Sequence, residues 1–96
     1  MVDERRSERA PVSVVAEVRA IGNPWEKAIL EDLSCDGFRM KWKPRYPIDS
    51  VISVRFPELE IIRARVCWRD DNHIGCEFTK ALHQYVFEHI AKKFAP

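Results

Sequence analysis

Two clusters of side chains in this 96-residue chain have types and spacing suited to gripping an anion. The first is Arg5-Arg6-Ser7-Glu8-Arg9, an R-x-x-x-R pattern in a polar stretch before any apolar periodicity begins. The second follows about two dozen residues later as Asp32-Leu33-Ser34-Cys35-Asp36-Gly37, or D-x-S-x-x-G. Guanidinium groups bind phosphate oxygens and the O6/N7 edge of guanine bidentately, and they stack on flat aromatic faces. A carboxylate at Asp32 accepts from the N–H donors of a base, while a hydroxyl at Ser34 donates to a phosphate or a base acceptor. Gly37 lets the backbone turn and lets a ligand approach where a Cβ would stand in the way. The pair therefore suits a ligand that carries both phosphates and bases.

Each motif also has a purely structural reading. Arginines near a chain end are commonly a solvated, charged tail, and D-x-S-x-x-G is also a serviceable turn into a hairpin. Order along the chain favours a shared site. If the first two strands pair antiparallel, the start of one lies beside the end of the other, and so Arg5, Arg6 and Arg9 approach Asp32 and Ser34. No catalytic set accompanies them: His73, His83 and His89 have no metal-ligand spacing, and no histidine is placed to activate Ser34. An enzyme is not expected. Cys35, Cys67 and Cys76 form an odd set without a C-x-x-C pair, which suits reduced thiols better than disulfides or structural zinc.

The elements that must hold these groups read as short strands. Alternation or valine enrichment marks strands at 12–21, 25–33, 38–43, 51–56, 60–69 and 73–78. Turns fall at Gly22-Asn23-Pro24, at Asp36-Gly37, where positive φ angles are expected, and at Asp70-Asp71-Asn72. Asp32 and Ser34, two apart, are expected on one strand face, Asp32 in line with Glu26, Ala28 and Leu30 and opposite to Leu33. Trp68, in line with Ile62, Ala64 and Val66, reads as core, with stacking on a base as the alternative. From Lys80 the period lengthens: Leu82, Val86, Ile90 and Phe94 recur every four residues, an amphipathic helix with Thr79 as its cap. The fold class is mainly β: a small six-stranded antiparallel β-barrel with a C-terminal α-helix and a flexible N-terminal arm. The arm spans 1–10 and the barrel with its helix 11–96.

A chain of this length supports one core. Net charge is +1, which gives no global field for long nucleic acid. The basic rows Arg39, Lys41, Lys43 and Arg63, Arg65, Arg69 lack the interleaved exposed aromatics of a single-strand platform. No apolar run reaches membrane-span length, so no membrane insertion is expected, and the first residues lack the apolar stretch of a secretory signal. A cytoplasmic location follows as the expectation.

R-x-x-x-R before the first strand and D-x-S-x-x-G after the second, with Val66-Cys67-Trp68 and Ile74-Gly75-Cys76-Glu77-Phe78 in a late hairpin, closely resemble the PilZ domain. The resemblance runs from Glu4 to about Phe94. It implies a bacterial receptor for the second messenger cyclic di-GMP, with Arg5 and Arg9 on guanine and phosphate and Arg6, Asp32, Ser34 and Gly37 completing the ligand site. It further implies a downstream protein partner, of unstated identity, with oligomeric state left open. Some members of the family are thought instead to be protein-interaction modules that bind no nucleotide, and that reading stands as the alternative.

Overall fold

The computed structural model describes residues 8–41 and 46–96. The arm's Arg5 and Arg6 lie outside those residues, as do Trp42 and Lys43 of the third expected strand. The described residues form β1 (Ala10–Ala20), β2 (Glu26–Leu33), β3 (Gly37–Lys41), β4 (Val51–Arg55), β5 (Ile61–Arg69), β6 (His73–Phe78) and α1 (Gln84–Lys93). All neighbouring strands pair antiparallel, and the sheet closes on itself in the order β1-β2-β3-β6-β5-β4. Closure leaves no long unpaired edge. No helix among the described residues is long and apolar enough to cross a membrane.

Alternation along β1 decides what faces inward. Val12, Val14, Ala16 and Val18 are buried in one cluster with Leu30, Met40, Val54, Val66 and Ile74, and α1 adds Phe87 and Ile90. The turn after β1 is closed by the Asn23 amide donating to the Ala20 carbonyl (3.1 Å), with Gly22 at φ 85°, a left-handed angle that glycine adopts without steric cost. Asp70 organises the β5–β6 turn, its Oδ1 accepting from the amides of Asn72 and His73 at 2.8 Å each.

Four local expectations are corrected. The helix begins at Gln84 rather than near Lys80, and His83, not Thr79, is its N-cap, with Nδ1 accepting from the Tyr85 amide. Thr79 is occupied elsewhere: its amide and hydroxyl both donate to the Arg63 carbonyl, which prolongs the β-type course of the chain past β6. Trp68 is not core. A bulge between Val66 and Trp68, opposite Cys76 and Gly75, breaks the alternation and leaves Trp68 44% exposed. A second irregularity, between Leu30 and Asp32, puts Leu33 rather than Asp32 in the core beside Leu30. Finally, Gly37 does not take a positive φ; among the glycines only Gly22 does.

Candidate functional site

Register places the arm's last arginine at the acidic end of β2. Ala10 pairs with Leu33 and Pro11 with Asp32, so Arg9 emerges beside that carboxylate. Arg9 donates to Asp32 Oδ2 through Nε (3.0 Å) and Nη2 (2.8 Å). Its side chain is still 66% exposed while that of Asp32 is 18% exposed. The outward turn of Asp32 is a product of the β2 irregularity, since strict alternation would have sent it inward with Ala28 and Leu30. The convergence expected from the sequence therefore holds for Arg9, by a route the sequence pattern did not contain.

Ser34 lies beyond the end of β2, not on the strand face expected for it. It is buried, and its hydroxyl oxygen accepts from the amides of Asp36 (3.1 Å) and Gly37 (3.2 Å). The Ser34 amide in turn donates to the Gly37 carbonyl (2.9 Å). Serine here shapes the turn. Gly37 is demanded by crowding: a Cβ there would run into the backbone carbonyl of Cys76 on β6. The turn is further tied by the Phe78 amide to the Asp36 carbonyl (2.7 Å) and by the Leu82 amide to the Cys35 carbonyl (2.8 Å). Cys35 Sγ also donates to Gln84 Oε1 (3.4 Å), which links the turn to the first residue of α1.

Between Arg9, this turn and the β5–β6 hairpin lies an open pocket of about 290 Å³. Ser34, Asp36, Gly37, Arg39, Trp68 and Gly75 are among the residues that line it. A Cβ on Gly75 would overlap the Trp68 indole, so the ring lies directly on a residue without a side chain. Cys76 also lines the pocket, its thiol pushed up to about 12, chiefly by burial and secondarily by Cys67. It is inert as a nucleophile at neutral pH.

One member of the pocket, Arg39, escapes the sequence reading, and a second, Trp68, is favoured there as core. Arg39 belongs to a basic row that the strand pattern turns to solvent, yet its Nε is buried and has no hydrogen-bond partner among the described residues. An unspent buried donor is costly and is usually satisfied by something. Its register opposite both Asp32 and Gly75 puts it at the centre of the site. The signal in the sequence was its position two residues after Gly37. Trp68 was assigned to the core because the bulge is not encoded in alternation.

A closed six-stranded barrel with an arginine–carboxylate joint beside an open pocket is the architecture that the described residues build. The sequence profile of the PilZ domain matches residues 3–91, and the chain belongs to that family. Among solved structures, that of Bacillus subtilis inhibitor of motility (MotI/DgrA) is similar, with a TM-score of 0.61 at 11% identity. The alignment covers 96% of this chain and 50% of that one, so the chain spans half the length of that protein and shares its fold over that half. No curated protein sequence matches.

Proposed function

We propose that the chain is a cytosolic receptor for cyclic di-GMP that relays binding to a downstream protein. The observation that carries this reading is the Arg9–Asp32 joint. It sets a guanidinium and a carboxylate, the complements of phosphate and of the guanine N1–H/N2–H edge, side by side at the rim of a pocket in a PilZ domain.

Ligand phosphate competes with Asp32 for Arg9. Released from Arg9, Asp32 turns its acceptor oxygens to a guanine edge. Arg39 Nε finds the acceptor it lacks, and the half-exposed Trp68 indole offers a stacking face. Arg5 and Arg6 add further guanidiniums to the ligand, a charge-assisted contact of this kind being worth roughly 1.5–3 kcal/mol. Two consequences reach a partner: the arm changes the exposed face, and strain on the 34–37 turn passes through the Cys35–Leu82 and Cys35–Gln84 contacts to the start of α1.

Calorimetric titration of the purified chain with cyclic di-GMP tests this. Saturable heat with a defined stoichiometry is expected. A flat titration up to sub-millimolar ligand would overturn nucleotide binding and favour the protein-interaction alternative.

A further inference from the structure

A second cationic site stands on the outer face of β1, β4 and β5. Arg19 on β1 pairs directly with Ser53 on β4, and Ser53 pairs directly with Arg63 on β5. Direct partners across a sheet project from the same face. Adjacent strands are about 4.8 Å apart, so the two arginines flank one hydroxyl with their backbones roughly 10 Å from each other. That separation lets two long side chains close on a single tetrahedral oxyanion above Ser53. The three residues line a cavity of about 300 Å³ together with Ile21, Gly22 and Val51, and none of its lining residues belongs to the pocket at Arg9.

Flanking acids on the same outer face are already engaged: Glu17 Oε1 accepts from Arg55 (Nε 2.9 Å, Nη2 2.8 Å), while Asp49 and Glu77 both hold Arg65 (2.9 and 3.0 Å). Among the described residues no carboxylate reaches Arg19 or Arg63, and the Ser53 hydroxyl makes no hydrogen bond. Arg19 is steadied instead by Trp25, its guanidinium carbon lying 4.8 Å from the ring centre. Stacking leaves its N–H edge free for an anion. Ile21, 85% exposed, and Val51 form an apolar rim to the same cavity.

We propose that Arg19, Ser53 and Arg63 form a binding site for a phosphoryl oxyanion that is separate from the dinucleotide pocket. The guanidiniums supply a forked clamp from two sides, and the serine hydroxyl donates from below. The adjoining apolar rim suits a phosphoryl group attached to a hydrocarbon, so a soluble phosphate compound and a phospholipid headgroup are the two sources to separate.

The test is a nitrogen-15 NMR titration of the whole chain, including arginine Nε signals, with inorganic phosphate against chloride at matched ionic strength. Alongside it, retention is measured on phosphatidylcholine vesicles with and without phosphatidylglycerol. Saturable shifts confined to Arg19, Ser53 and Arg63, lost in R19A/R63A and weakened about ten-fold in S53A, support a soluble ligand. Retention that needs phosphatidylglycerol and is lost in R19A/R63A supports a headgroup. Both variant positions are exposed on the barrel wall, and an unchanged cyclic di-GMP titration of R19A/R63A separates this site from the one at Arg9. Shifts equal in phosphate and chloride, together with retention that R19A/R63A leaves intact or no retention at all, overturn the proposal.

Discussion

Replacing Arg9 by alanine separates what the arginine does for the fold from what it does for the ligand. In the free protein Arg9 holds Asp32 with two N–H groups on one carboxylate oxygen. Because Arg9 is largely exposed, that pair is worth only ~0.2–1 kcal/mol. At about 4–8 °C per kcal/mol for a domain of this size, melting should fall by about 1–8 °C. In the complex, a charge-assisted contact to phosphate is worth roughly 1.5–3 kcal/mol. Subtracting the joint given up with Asp32 leaves about 0.5–2.8 kcal/mol, so affinity should drop a few-fold to a hundred-fold, with ten-fold as the centre. Calorimetry with cyclic di-GMP and thermal melting on the same R9A sample read both quantities. R9K should recover part of the affinity, since lysine restores a charge without the fork. An R9A protein that binds within two-fold of the parent, or that loses binding only in proportion to unfolding, would refute the reasoning.

Three further outcomes follow from contacts around the site. Gly37→Ala should destabilise by about 1–3 kcal/mol or more, because its Cβ meets the Cys76 backbone, whereas the nearest atoms to a Gly75 Cβ are those of the half-exposed Trp68 ring. G75A should therefore melt close to the parent but bind ligand more weakly; equal melting losses in the two variants, read by calorimetric unfolding, would contradict this. Ser34→Ala strips two backbone amides of their acceptor and should cost about 1–2 kcal/mol in chemical denaturation, even without ligand. A parent-like midpoint would mean that the turn does not depend on the hydroxyl. Glu31 sits 2.8 Å from His73 and 3.2 Å from Lys41. The His73 hydrogen bond, ahead of Lys41 and against partial burial, holds its carboxyl below the ordinary value. A carboxyl lowered in the folded state stabilises above its unfolded pKa, and that contribution is lost as pH falls through the folded value. Between about pH 5 and pH 3 the parent should thus lose melting temperature more steeply than Glu31→Gln; parallel pH profiles would rule this out.

Alternation carried most of the architecture in the sequence. Val12, Val14, Ala16 and Val18 can only be one face of a strand, and six such stretches with tight turns leave closure as the way to bury every inner face. The convergence of Arg9 and Asp32 was legible for a similarly local reason: opposite charges sit at the two ends that an antiparallel pair brings together. What alternation cannot record is where a strand gains an extra residue. The irregularity at Leu30–Asp32 turned Asp32 outward to Arg9, and the bulge at Val66–Trp68 drew the tryptophan out of the core and onto Gly75. Each depends on what the partner strand offers opposite it, a contact between residues far apart in the chain. The same holds for Gly37, needed because β6 passes close by, and for Arg39, whose unpaired Nε exists only once β2 and β6 enclose it. Periodicity within one segment fixed the strands and named the reactive groups; pairing between segments decided which of those groups face one another.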